Sequence, residues 1–222
     1  MDLAIIIAIL IVPVMAEIMI IKNYNKCNNI RNQSSVSGME VAHNILEKNK
    51  LEDMYVVEIP GKLKDHYDIN RKVVRLSKET FNKDTVSSLA LAAQVSAHAI
   101  QDKEGYGFLK FRDVINPVAK VMCALSYIIV LIGLVSYRYD LVDVASAVLS
   151  IVLIFQLMTL PVEFTANKIA IKELKKVKLL DKSEEDMVFR LLKTFSFIYV
   201  AGVITSVVDL ARYITNLITD RR

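Results

Sequence analysis

LAAQVSAHAIQ, Leu91 to Gln101, carries one histidine, His98, among small residues, with long apolar stretches elsewhere on either side. It reads as part of a polar, amphipathic helix that Asp84 or Thr85 can cap and that ends near Gly105. Gln94 and His98 stand at i and i+4, so one face of that helix presents an amide and, one turn later, an imidazole. What such a face can do depends on its setting.

The setting is a membrane chain. Of 222 residues, 54% are hydrophobic and the mean hydropathy is positive, too apolar for an ordinary soluble domain. The net charge of +4 is modest, and the basic residues are interleaved with acids without a dense run, so a nucleic-acid partner is excluded. Two cysteines, Cys27 and Cys123, cannot build a disulfide framework and read as free thiols.

The charges avoid four apolar stretches. Leu3–Ile21 is long enough to cross a bilayer, which takes ~20 residues. It begins beside Asp2 rather than basic residues and lacks a small-x-small site, so it reads as an uncleaved anchor rather than a signal peptide. Pro117–Ser136 and Val144–Val162 form a transmembrane hairpin around the connector YRYDLVD. Thr194–Ile218 is the fourth; Asp209 and Arg212 leave open that its second half lies in the interface.

Between the anchor and the hairpin lies a folded polar region. Ser37 and Glu40 have capping-box spacing and predict a helix over residues 38–49. MYVVEI (Met54–Ile59) and KVVRLS (Lys72–Ser77) predict two strands joined by a long turn. If both hairpin segments span, the polar regions before and after them share a side, which puts Glu163 on the same face as His98. Lysine and arginine concentrate in those regions, so the positive-inside rule places them in the cytoplasm.

The sequence resembles the bacterial membrane zinc metallopeptidases of the neutral zinc metallopeptidase type, whose helix reads approximately A-A-H-E-V-G-H-A-I-Q. AAQVSAHAIQ aligns with it, and the resemblance extends through SGMEVAHNILEKNKLEDMYVVEIPGKLKDHYD, VVRLS, FLKFRDVINPVA, FQLMTLPVEFTANKIA and RLLKTFSFIYVAG. In an H-E-x-x-H helix two histidines grip zinc, the adjacent glutamate activates the zinc-bound water, and a third ligand comes from elsewhere. By this resemblance Gln94 occupies the first histidine position, Val95 the base position and Ala97 the glycine position. His98 alone matches a histidine ligand, and Glu163, in PVEFTAN, matches the third ligand. An amide is a poor zinc ligand and Val95 has no titratable proton, so no catalytic residue is intact and His98 and Glu163 read as vestigial metal positions.

The implied fold is mainly α: a four-helix transmembrane protein with a small α+β, zincin-like cytoplasmic domain. Its parts are an anchor (1–21), the zincin-like domain (22–112), the hairpin (113–162), a helical segment completing the site (163–193) and a transmembrane or interfacial helix (194–222). Other candidates for the site are Asp65, His66 and Asp68 of KDHYD, and Asp102 at i+4 from His98. The competing readings are a hydrogen-bonded turn for the first three and a solvated helix-end charge for Asp102. His43 reads as a surface residue. A contact of His98, and of Gln94, with Glu163 would replace the metal by a buried polar pair.

The expected function is a membrane pseudoprotease in the plasma membrane, multi-pass, that binds a peptide, a membrane protein or an active paralogue, with the lipid bilayer as its medium and no cofactor. The alternative is an active metallopeptidase using zinc with remodelled ligands. A structural membrane protein without a groove is the third.

Overall fold

The computed structural model describes residues 2–219, which form α1 (Asp2–Asn28), α2 (Gly38–Lys48), β1 (Tyr55–Ile59), β2 (His66–Asp68), β3 (Val73–Ser77), α3 (Lys78–Asn82), α4 (Val86–Lys103), α5 (Gly107–Val135), α6 (Tyr139–Lys176) and α7 (Glu185–Thr219). They fall into two compact units. One comprises residues 19–110 and 162–196; the other comprises the described residues of 1–18, 111–161 and 197–222.

The first unit is organised around α4. Thr85 caps it, its hydroxyl oxygen accepting the Ser88 N–H at 3.2 Å, and Gly105, at φ +72°, follows its end. The expectation of an amphipathic helix is corrected: every residue from Val86 to Asp102 is buried. Alanine and serine make α4 thin enough to be enclosed, and its polar groups find partners inside, as when the Ser96 hydroxyl donates to the Ala92 carbonyl at 2.8 Å. Val41, Ile45 and Leu46 of α2, Val74 and Leu76 of β3, Ala166 and Leu174 of α6, and Leu191 and Leu192 of α7 share its core.

α2 starts with the full capping box: the Glu40 carboxylate accepts the Ser37 N–H at 2.7 Å, while the Glu40 N–H donates to the Ser37 hydroxyl. A Cβ on Gly38 would stand 2.1 Å from the Thr80 carbonyl, so this close approach to α3 requires glycine. The sheet also departs from expectation. The two predicted strands are not simply joined by a turn; β1 and β3 pair in parallel, with Tyr55 opposite Val73, and KDHYD supplies a third strand on the far edge of β3. Pro60 and Gly61, the latter at φ +104°, turn the chain out of β1. After β2 the Asp68 carboxylate accepts the Arg71 N–H at 3.0 Å, which closes the reversal into β3.

In the second unit α5 and α6 are joined by Ser136, Tyr137 and Arg138. Gly133 lets them close, since a Cβ there would meet Val142 at 2.9 Å. Val121, Leu125, Ile128 and Ile132 on α5, Ile151 and Ile154 on α6, and Ile204 and Val207 on α7 are all exposed, an apolar surface suited to lipid. Asp209 and Arg212 are buried, and α7 runs unbroken past them. Both cysteines are free thiols.

Three helices among the described residues are long and apolar enough to cross a membrane, at Gly107–Val135, Asp140–Lys176 and Glu185–Thr215, rather than the four expected. The N-terminal stretch is helical, but from Leu10 onward it soon meets Glu17, Lys22 and Lys26. The side chains of Leu3, Ile6, Ala8 and Ile9 lie outside the described residues.

Candidate metal centre

Residues 94, 98 and 101 form one stripe along α4, and α6 brings Glu163 against it. Glu163 is the first charged residue after the charge-free run ending at Val162. The Gln94 amide donates from Nε2 to Glu163 Oε2 at 3.0 Å, and His98 Nε2 faces Glu163 Oε1 at 3.7 Å. All three side chains are buried, as is Val95.

Gln101 fixes the imidazole. Its amide nitrogen donates to the Val162 carbonyl at 3.0 Å, which leaves Oε1 as acceptor toward His98 Nδ1 at 2.9 Å. The hydrogen-bond network therefore assigns a hydrogen to Nδ1 and turns Nε2 toward Glu163. An orienting partner on the far nitrogen is what a metal-binding histidine ordinarily has. Gln101 was missed from sequence, although its i+3 spacing from His98 places it on the same stripe.

The substitute ligands go elsewhere. Asp102 accepts the Tyr67 hydroxyl at 2.7 Å and is ion-paired with Lys72. Burial first, then the bond to Asp102, pushes the Tyr67 hydroxyl well above its ordinary pKa. Asp65 accepts both the Ser77 N–H and hydroxyl at 2.8 Å. Asp68 pairs with Arg75 at 3.3 Å; burial opposes its charged form, but the Arg71 N–H and Arg75 together hold its carboxyl below the usual value. His66 is exposed in β2, with Nδ1 2.7 Å from the Lys64 carbonyl, and His43 is exposed on α2. Asp65, His66 and Asp68 thus serve the sheet and its turns.

A catalytic zinc takes three protein ligands and keeps a fourth position for water. His98 and Glu163 offer two donors, and Gln94 points its NH2 group, which cannot coordinate, at the carboxylate. A tetrahedral ion would hold the imidazole nitrogen and carboxylate oxygen roughly 3.4 Å apart, somewhat closer than found. Among the described residues no group of three or more His, Cys, Asp and Glu side chains is placed to hold a metal ion. Among the described residues, these side chains do not make the three-ligand set.

The family model described as "Putative neutral zinc metallopeptidase" matches residues 3–218. The chain is 31% identical over 206 residues to the protein named "Putative membrane protease YugP" of Bacillus subtilis (strain 168), which covers 93% of this chain and 92% of that protein. No solved structure matches it. With membrane-type helices and a match over nearly its whole length, this chain belongs to the neutral zinc metallopeptidase family.

Proposed function

We propose that this member of the family is a pseudoprotease: a multi-pass membrane protein that keeps the fold around α4 and binds a peptide or membrane-protein partner, an active paralogue included, without hydrolysing it. The observation that carries the reading is the hydrogen bond from Gln94 to Glu163, in which an amide takes up the carboxylate a metal would need. Val95, which stands at the family's base position, offers no proton acceptor of its own. Losing even a partner behind a ligand costs ~10–100-fold in metal affinity or activity, and here a ligand position and the base position are both altered. Concentration of Lys and Arg in residues 22–112 and 163–193 supports a cytoplasmic location for the folded part.

The test is zinc content of the full-length protein purified in detergent without chelator, beside the double variant Gln94→His, Val95→Glu. The expected result is well under one zinc per native chain and about one per chain in the variant. Stoichiometric zinc in the native chain, with peptidase activity abolished by a chelator, would overturn it.

A second reading is an active enzyme with remodelled ligands, and the facing of His98 Nε2 and Glu163 Oε1 favours it. It requires that His98→Ala and Glu163→Ala each abolish hydrolysis of a peptide by the native chain.

A further inference from the structure

We propose that the groove between the last turns of α6 and the start of α7 binds the headgroup of an anionic phospholipid. It is a cavity of about 710 Å³ within the first unit. Lys168 and Lys172 enter it from α6 at i and i+4, and Lys182 from the connection to α7. Among the described residues these three make no ion pair. The remaining charges of the groove are already matched: Lys175 pairs with Glu185 at 2.5 Å, and Asp186 with Arg190 at 2.8 Å. The lining is therefore net cationic.

Its depth and its apolar part select a lipid over other anions. Lys168 lies six residues beyond Val162, ~9 Å along a helix, and Phe189 five residues before Thr194, ~8 Å. Those two residues mark the ends of the apolar runs of α6 and α7. The headgroup layer is ~5–8 Å thick on each side of the hydrocarbon, and a lysine stem extends to meet it. Phe189, half exposed, gives the groove an apolar wall on the side nearest the membrane. An acidic peptide or a free anion would have no use for that wall. The inference rests on α6 and α7 being membrane helices and is independent of whether the chain hydrolyses anything.

The experiment is native mass spectrometry of the detergent-purified full-length protein titrated with phosphatidylglycerol or phosphatidylcholine. Phosphatidylglycerol should bind in preference. The triple variant Lys168→Gln, Lys172→Gln, Lys182→Gln should weaken it on the order of a hundredfold, each lysine near an anionic lipid contributing about fivefold. The charge-matched control Lys48→Gln, Lys64→Gln, Lys78→Gln, all exposed on the same unit, should bind as the native chain does. Equal binding of the two lipids, or equal loss in both triple variants, overturns the proposal. Displacement of phosphatidylglycerol by millimolar inorganic phosphate, or lysine-dependent binding of polyglutamate in place of lipid, also overturns it. Recovery of the protein in the soluble fraction without detergent would refute the membrane premise separately.

Discussion

Gln101 joins two elements with a single amide, donating to α6 and accepting from His98. Gln101→Leu has nearly the same volume but leaves the imidazole N–H and the Val162 carbonyl without that partner, and a buried polar group so abandoned costs about 1–3 kcal/mol. We expect a lower melting temperature in detergent. In the Gln94→His, Val95→Glu background, Gln101→Leu should also weaken zinc about 10–100-fold in competition with a chelator, because the ring loses its orienting partner. Unchanged affinity would mean that Gln101 does not set the ring. At this scale the sequence was legible in one contact, the expected approach of Gln94 to Glu163, because the two residues stand on the helix faces that spacing already marked. Asp102 could not be placed by spacing. Its direction is set by Tyr67 and Lys72, and Tyr67 lies in a strand where the sequence predicts part of a long turn.

Among the elements, α1, α3 and the loop after β1 meet at one carboxylate. Glu79 of α3 accepts the Tyr24 hydroxyl at 2.9 Å and pairs with Lys83 at 3.1 Å and Lys62 at 3.3 Å. Lys83 first, then Tyr24 and Lys62, hold the Glu79 carboxyl below its ordinary value against the smaller opposing effect of burial. A carboxyl depressed in the folded state stabilises the fold above its unfolded value, and that stability is lost as pH falls through the folded value. Thermal melts from pH 7 down to pH 3 should therefore show Glu79→Gln about 1–3 kcal/mol less stable at neutral pH, with the gap to the native chain closing in acid. A gap independent of pH would sink this account. α4 makes a different demand. Ala97 is fully buried at its centre, so Ala97→Leu should cost at least ~1–3 kcal/mol through overpacking. The capping box, the cap at Asp84 or Thr85 and the Gly105 stop were readable because each is a local pattern; the structure selects Thr85. The enclosure of α4 was not, since alanine and serine are as common on a polar face as in a crowded interior. Nor was the β1–β3 pairing: strand propensity marks β1 and β3 but says nothing of the edge strand that KDHYD adds between them in sequence.

Over the whole molecule, the apolar runs marked the hairpin and the last helix, because hydropathy over a long window needs no tertiary information. It did not separate a spanning second half of α7 from one lying in the interface, since that turns on where Asp209 and Arg212 point. Both are buried against α6. Arg212 Nε donates to Asp209 Oδ1 at 3.1 Å, Nη2 donates to the Ser146 hydroxyl at 2.5 Å, and Nη1 reaches Asp143 at 3.3 Å. Ser146 also donates to Asp209 Oδ1 at 3.1 Å. One guanidinium thus neutralises carboxylates from two helices. Arg212→Met removes it and leaves Asp209 charged and enclosed, which should cost about 3–5 kcal/mol, as breaking a buried pair does. Adding Asp209→Asn removes the stranded charge, so the double variant should recover much of the loss, in melting temperature and in resistance to protease in mild detergent. A surface-lying end of α7 makes the opposite forecast: exposed pairs contribute ~0–1 kcal/mol, so Arg212→Met would be nearly silent and the second substitution would rescue nothing. Rescue is the discriminating sign, because general damage to the helix accumulates with each substitution, whereas a stranded carboxylate is relieved by the second.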